Sequence, residues 1–368
     1  MTRRLLLICA ATLLASCATQ KVPPPKPELP PAPPVVEPAP SAVTPTGPVP
    51  DLVAAKEAFA LDTAAKYRVD ANRVRSVLAS AEIKDSIITA MSRPAEGTKQ
   101  WRDYRPIFIV PSRIEGGKAF MTQNAALLSR AESRYGVPKE IITAITGVET
   151  GYGSNMGKYR VIDALYTLAF RYPRTNLPEK IARENAREAF FRDELAQVFA
   201  LEGESHMDAT QLKGSYAGAM GWGQFMPSSY RQYAVDGDND GKRDLLTDLD
   251  DVIPSIANYF IGRGQWVPGR PVMVRANRRP DAQAFNPGNT VDQLYSQQAL
   301  ASMGWRPLQD VPADEPATII TFEGANGTEY WMAFRNFVAI TKYNKSPMYA
   351  AAVYQLSQEI AGTPVPGA

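Results

Sequence analysis

The chain has little of the chemistry that binds soft metals or activates a nucleophile. Among its 368 residues there is one histidine, His206, and two cysteines, Cys9 and Cys17. A Cys/His zinc site cannot be assembled from that set. A Ser-His-Asp triad would have to use His206, which lies in a polar Glu-Ser-His-Met-Asp context with no nucleophile elbow, so a solvated loop position is expected for it. No P-loop and no strand-linked dinucleotide fingerprint occurs, so no organic cofactor is expected. A formal net charge of +2 without a Lys/Arg run excludes a nucleic-acid groove. What remains for catalysis is carboxylate chemistry.

With 45% hydrophobic and 21% charged residues, the chain can bury the core of one large or two modest domains. Attached to that body is a targeting segment. Arg3-Arg4 precede the apolar stretch Leu5 to Ala15, which is too short for a permanent bilayer span and has the order of a secretory signal. The stretch ends in Leu14-Ala-Ser-Cys17, which resembles a bacterial lipobox. That likeness implies a signal over residues 1–16, cleavage before Cys17 and acylation of its thiol and new amino group. Cys9 then leaves with the signal, and no internal disulfide can form. Ala18 after the cysteine resembles outer-membrane sorting signals, a likeness that implies, for a Gram-negative host, an anchor on the periplasmic face of the outer membrane. Residues 17–50 form the lipidated start and a linker. Of the 30 residues from Lys21 to Pro50, 13 are proline, and an extended polyproline II tether of that length reaches roughly 90 Å.

From Asp51 onward the texture is helical. Leu52 to Tyr67, Ala71 to Met91, Gly117 to Tyr135, Pro138 to Glu149, Val161 to Phe170, Arg183 to Glu204 and Val252 to Gly262 carry apolar residues at i, i+3 and i+4. Between Pro268 and Met332 the pattern shortens. Val272-Met-Val-Arg275 reads as a strand, and Thr318 to Phe322 with Glu329 to Met332 reads as a hairpin about Ala325-Asn-Gly327. Asn336 to Ile360 returns to helix. The expected layout is a helical core over 51–262, a small β-containing subdomain over 263–333, and a helical segment over 334–362 that returns to the core. The fold class is mainly α.

Glu149 is the most informative residue. Counting at 3.6 residues per turn puts it on the face of Ile142 and Ile145, at the negative C-terminal end of its helix. Desolvation and the helix dipole both disfavour the carboxylate, so an upward pKa shift is expected, as a general acid near neutral pH requires. A glutamate snorkelling out at a helix end fits the same pattern. A second dense segment, Leu212 to Ser229, holds four glycines, an aromatic, and amide and hydroxyl donors. It suits a sugar groove, where backbone and flat faces must approach closely; tight glycine packing at a buried helix start is the competing reading.

The segments Gly147-Val-Glu-Thr150, Met156 to Leu165 and Gly214 to Ser229, continuing through Ala257-Asn-Tyr-Phe260, Lys342-Tyr-Asn344 and Ala350 to Leu356, resemble the membrane-bound lytic murein transglycosylase B family. The likeness runs from about Trp101 to the C-terminus. It implies a lysozyme-like α-domain that cleaves the β-1,4 bond between N-acetylmuramic acid and N-acetylglucosamine without water, leaving a 1,6-anhydromuramic end. It makes Glu149 the single acid and base. Ser215 and Asn344 fall where the family holds N-acetyl or transition-state groups. Tyr104, Arg187, Gln224, Tyr259, Tyr343 and Tyr349 fall on subsite positions, with core packing the alternative for the aromatics. Peptidoglycan glycan strands are the implied partner, along with the membrane through the lipid anchor and cell-wall synthases or hydrolases.

Asp236-Gly-Asp-Asn-Asp-Gly-Lys-Arg-Asp244 has acidic residues at positions one, three, five and nine and Gly241 at six, the start of an EF-hand-like loop over 236–251. Calcium, in a structural role, is therefore expected on Asp236, Asp238, Asp240 and the backbone carbonyl of Lys242. Position twelve is Thr247; the family's longer loop closes on a later acid, which implies Asp251 here, with Asp250 the alternative. A muramidase-type hydrolase would need a water-activating carboxylate such as Asp208 or Glu204 near Glu149. A non-catalytic peptidoglycan-binding lipoprotein is the third reading.

Overall fold

The computed structural model describes residues 52–92, 99–205, 207–363 and 365. Cys17, the signal, the proline-rich linker and His206 lie outside them. No helix among the described residues is long and apolar enough to cross a membrane.

Three helices open the body: α1 (Leu52–Tyr67), α2 (Ala71–Ala79) and α3 (Asp85–Ser92). The continuous helix expected over Ala71 to Met91 is broken, and the reason is tertiary. Between α2 and α3 the Glu82 and Lys84 N–H groups donate to Asp163 Oδ1 and Thr167 Oγ1, both at 3.0 Å, on a later helix. Those backbone donors would otherwise belong to a helical ladder. Next come α4 (Trp101–Phe108), which the periodicity missed, α5 (Pro111–Gln123) and α6 (Ala125–Tyr135). The helix expected over Gly117 to Tyr135 is thus two, hinged at Asn124, whose side chain donates to Phe120 O.

The centre is α7 (Lys139–Thr150), the short strand β1 (Tyr159–Arg160) and α8 (Val161–Phe170). Every residue of α8 is buried, as a helix apolar on all sides requires. Packed on it is α9 (Pro178–Ser205), longer at its start than the pattern from Arg183 indicated. There follow β2 (Lys213–Gly214), antiparallel to β1, then α10 (Pro227–Tyr233) and α11 (Leu249–Gly262).

A four-stranded antiparallel sheet comes next, made of β3 (Met273–Arg278), β4 (Trp305–Pro307), β5 (Ala317–Gly324) and β6 (Gly327–Phe334), in the order β4-β3-β6-β5, with α12 (Gln297–Ser302) between β3 and β4. The hairpin turns at Ala325-Asn326, with Gly324 opposite Gly327. Both sheet faces are covered. Ile320, Phe322, Trp331 and Ala333 join the helical core, while the alternating Ile319, Met332 and Phe334 form a second, smaller core with Trp305 and Leu300. The Trp101 ring of α4 stacks on Phe322 at 4.9 Å, fastening helices to sheet. The chain ends with α13 (Arg335–Thr341) and α14 (Pro347–Ala361), so the helix expected over Asn336 to Ile360 is interrupted. Ser346 and Pro347 restart it: the Ser346 hydroxyl caps the Tyr349 N–H at 3.3 Å. α14 then packs along α7 and α5.

Candidate active site

Glu149 lies in the last turn of α7. That helix closes on a left-handed glycine cap: Gly151 has φ 56°, its N–H donates to Gly147 O, and the Tyr152 N–H donates to Thr146 O at 3.0 Å. The chain turns away at once through Tyr152 and Gly153, also at positive φ, which leaves the Glu149 side chain at the edge of the core and half-buried. The Tyr349 hydroxyl, from the first turn of α14, donates to Glu149 Oε1. Because α14 packs along α7, residues 200 positions apart meet in one hydrogen bond.

Three tyrosines surround this carboxyl. Burial pushes the Tyr343 and Tyr349 hydroxyls well above their usual range, and the Glu149 charge pushes both further. Tyr259, on α11, is raised to about 12, chiefly by burial, with Glu149 among the charges acting on it. All three therefore remain O–H donors at any physiological pH. Tyr259 gives its proton to Lys342 O at 2.6 Å and Tyr343 gives its own to Gly223 O at 2.9 Å. Their rings lie 4.7 Å apart. Tyr104 is only 3% exposed, lies between Trp101 and Phe108, and is within electrostatic reach of Tyr349. It stands behind the Glu149 cluster.

The glycine-rich segment reaches the same place. The Thr150 hydroxyl donates to Trp222 O at 3.1 Å and accepts from the Gly153 N–H. A Cβ on Gly153 would lie 2.5 Å from the Trp222 ring, so this contact requires glycine. Gln224 holds φ 49°, rare for a side-chain-bearing residue, and its amide nitrogen donates to Gly221 O and Met156 O. That spends the amide's donors on the backbone and orients its carbonyl. The half-buried Ser215 Oγ accepts the N–H groups of Ala217 and Ala219, so the hydroxyl is oriented and its own proton has no acceptor among the described residues. Asn344 follows Tyr343 in the α13–α14 turn and lines a cavity of about 560 Å³. Arg187, on α9, lies over the Phe190 and Phe191 rings at 5.3 and 4.9 Å.

Sequence reasoning missed Glu194. It is 2% exposed on the packed face of α9 and accepts the Ser228 N–H and hydroxyl at 2.9 and 2.5 Å, so it caps the start of α10 and anchors the glycine-rich segment. Burial raises its carboxyl above the usual range, against the two Ser228 hydrogen bonds. The signal was there to read: a glutamate on the apolar face of a long helix, between Phe191, Leu195 and Val198.

The acidic loop lies against this segment. Trp222 N–H donates to Leu245 O at 3.0 Å, and Tyr230 joins Arg243 O and the Leu245 N–H. Carboxylate oxygens of Asp236, Asp238 and Asp251 come within 4.8 Å of one another. Asp251 is 1% exposed and accepts the Gly237 and Asp244 N–H groups; burial raises its carboxyl, and the charges of Asp248 and Asp236 add to the rise. Asp240 lies outside that trio, accepting the Lys242 N–H through Oδ1, while Asp250 faces away to pair with Arg130 at 3.0 Å. The two candidates for the water-activating carboxylate of a hydrolase are held by arginines: Glu204 by Arg231 and Asp208 by Arg73, and both are pulled below the usual range, Glu204 first by its Arg231 hydrogen bond and Asp208 first by Thr210.

A family described as the transglycosylase SLT domain matches residues 53–358. The chain is 40% identical over 305 residues to membrane-bound lytic murein transglycosylase B of Escherichia coli, covering 80% of each. Its fold matches the crystal structure of soluble lytic transglycosylase SltB1 from Pseudomonas aeruginosa with a TM-score of 0.74 and 43% identity, over 84% of this chain and 98% of that one. It also matches Escherichia coli lytic transglycosylase Slt35 in complex with calcium, with a TM-score of 0.72 and 38% identity, over 83% and 92% of the two chains. The helical body is thus the lysozyme-like one expected. By sequence and by fold, the chain belongs to the transglycosylase SLT-domain family and is a peptidoglycan lytic transglycosylase.

Proposed function

We propose that this enzyme binds peptidoglycan glycan strands and cleaves the β-1,4 bond between N-acetylmuramic acid and N-acetylglucosamine, with Glu149 serving first as acid and then as base. The observation that carries this is the environment of Glu149: one half-buried carboxyl, set among neutral tyrosine hydroxyls and beside the glycine-rich segment. In the first step Glu149 gives its proton to the glycosidic oxygen, and the C1–O bond breaks with its electron pair passing to that oxygen. In the second, the muramic C6 oxygen bonds to C1 and its proton returns to Glu149. Atoms balance without water, and the product is a 1,6-anhydromuramic end. The Tyr349 hydrogen bond holds the carboxyl in one orientation through both transfers. Ser215, Gln224 and Asn344 supply oriented polar groups for the sugar; Tyr259, Tyr343 and Tyr349 wall the site, Tyr104 backs it, and Arg187 lies on the flanking helix. Mass spectrometry of products from purified sacculi tests this: reducing ends in place of anhydromuropeptides would mean hydrolysis.

The acidic loop is, in this reading, a structural calcium site. Three hard oxygen donors within 4.8 Å of one another fit an ion whose ligands stand about 2.4 Å from its centre. Asp236, Asp238 and Asp251 would hold it, with Asp240 and the Lys242 carbonyl completing the shell. The ion supplies charge neutralisation that stiffens the loop; the loop's own Leu245 carbonyl then steadies Trp222. Support also comes from the calcium complex of the related Slt35. The domain layout follows the sequence: signal 1–16, lipidated Cys17 and linker 17–50, catalytic core 51–262, β subdomain 263–333 and returning helices 334–362. A lipid anchor on Cys17, at the periplasmic face of the outer membrane, agrees with the membrane-bound name of the Escherichia coli relative. Metabolic labelling with a fatty-acid analogue, lost in Cys17→Ala, tests the anchor.

A further inference from the structure

We infer that Thr150 is the positioning residue for Glu149: its buried hydroxyl clamps the end of α7 to the Trp222 carbonyl, and the acidic loop holds Trp222 from the other side. The inference rests on the proposed role of Glu149 and deepens it.

The need for a clamp comes from the backbone. Glu149 stands two residues before a run of three left-handed positions, Gly151, Tyr152 and Gly153, with φ of 56°, 58° and 80°. A side chain disfavours that region, so Tyr152 keeps it only where its surroundings over-determine it. Two contacts do so. The Tyr152 ring lies so close to Gly116 and Gly147 that a Cβ on either would come within 3.0 Å of it, and its hydroxyl donates to Arg113 O at 2.7 Å. Thr150 fixes the other end of the run.

Thr150 is 2% exposed, and its hydroxyl serves three backbone groups. It accepts the Gly153 N–H at 3.0 Å, which closes the left-handed run, and it offers its proton to Thr146 O and Trp222 O, each at 3.1 Å. The bond to Thr146 is the usual one for a threonine within a helix. The bond to Trp222 is different, because it crosses to a segment 72 positions away. Trp222 can receive it because its backbone is fixed on both sides: its N–H donates to Leu245 O of the acidic loop at 3.0 Å, and the next carbonyl, Gly223 O, accepts the Tyr343 hydroxyl at 2.9 Å. The loop approaches so closely that a Cβ on Gly221 would stand 2.3 Å from Leu245 O. Thus α7, the glycine-rich segment and the acidic loop converge on one hydroxyl, next in sequence to the acid. A carboxyl that must meet a glycosidic oxygen and then a C6 hydroxyl needs that stiffness, since misplacement by about 1 Å costs up to about a hundredfold in rate.

The test is a set of variants assayed on purified sacculi for kcat and KM, each with a melting curve. Thr150→Val keeps the shape of the side chain, removes the hydroxyl and should lower kcat about tenfold to a hundredfold with KM unchanged. Thr150→Ser keeps the hydroxyl and should recover most of that loss. Gly221→Ala forces the loop off Trp222 and should lower kcat in the same way; combined with Thr150→Val it should lower kcat by less than the product of the two single effects, because both act through one contact. Glycan binding by Glu149→Gln should be the same with and without Thr150→Val, which separates positioning of the acid from collapse of the groove. A Thr150→Val kcat equal to wild type, a loss confined to KM, or a loss that Thr150→Ser shares in full would overturn the inference. Should Thr150→Val fail to fold, Gly221→Ala decides: a lowered kcat at unchanged KM supports the clamp, and a wild-type kcat overturns it. If Glu149→Gln turns over like wild type, the proposed reaction fails and takes the clamp with it, whereas an inactive Glu149→Gln beside a fully active Thr150→Val removes the clamp alone.

Discussion

Two acidic regions of this molecule adjoin one glycine-rich segment in space and use the same functional group in opposite ways. At the end of α7 a single carboxyl accepts a hydrogen bond from Tyr349, and burial keeps the hydroxyls of Tyr343 and Tyr259 protonated beside it. In the loop 236–251 the carboxylates of Asp236, Asp238 and Asp251 are pressed together, and they accept backbone N–H groups. The first arrangement suits the proposed handling of one proton, since one carboxyl can be neutral or charged with its neighbours unmoved. The second accumulates negative charge, which the proposed calcium ion would relieve. Chemistry here is set by what surrounds an acid rather than by the acid.

The comparison breaks most visibly at Glu149. Glu149→Gln removes the transferable proton and should lower turnover of sacculi at least a hundredfold to ten-thousandfold, the usual contribution of a general acid, with strand binding retained. Residual turnover near wild type would assign the chemistry to another group. Breaking the other region should affect stability instead. Chelation of calcium, or Asp251→Asn, should lower the melting temperature by several degrees, about 1–3 kcal/mol for a buried charged acceptor losing its role, while kcat falls less than in Glu149→Gln. A melting curve identical with and without calcium, in wild type and variant alike, would remove the ion from the account.

Tyr349→Phe separates orientation from packing. The ring is 3% exposed and phenylalanine fills its place, so stability should change little while kcat drops about tenfold to a hundredfold through loss of one hydrogen bond to the acid. A KM effect with kcat untouched would make Tyr349 a binding residue only. The smallest effect belongs to Glu194. Its folded-state carboxyl is raised by burial, so its contribution to stability is fully present below the ordinary glutamate range and is lost as pH rises through the raised folded value. Glu194→Gln keeps an acceptor for Ser228 and should flatten that decline by about 1 kcal/mol. Urea unfolding across pH 4 to pH 8 (a range of about four units spanning the ordinary glutamate pKa) reads it, and parallel curves for wild type and variant would refute it.

Much of this was legible in the chain. α1 and α8 have the bounds their apolar spacing predicts, and the β5–β6 hairpin turns where Ala325-Asn-Gly327 indicated. Glu149 was readable because an acid on an apolar helix face ahead of a glycine is locally anomalous. Breaks within long patterns were not readable. The gap between α2 and α3 exists because Asp163 and Thr167, some eighty positions later, take up its backbone donors, and no periodicity within Ala71 to Met91 records that. The short α4, α10 and α12 were missed for want of enough residues to show a period.

Sequence alone determined which groups were on offer: with one histidine and two cysteines in 368 residues, and one glutamate at an apolar helix end, it pointed the search for chemistry to carboxylates. Only the tertiary structure decided which partners that glutamate would meet. Tyr349 is 200 positions away, and packing of α14 along α7 is what converts that distance into a hydrogen bond. The clamp on Thr150 likewise draws on three segments that no local pattern joins. Local physics fixes what each segment is, because propensity and periodicity act over a few turns. Long-range burial fixes what each segment touches, and the site is made of touches.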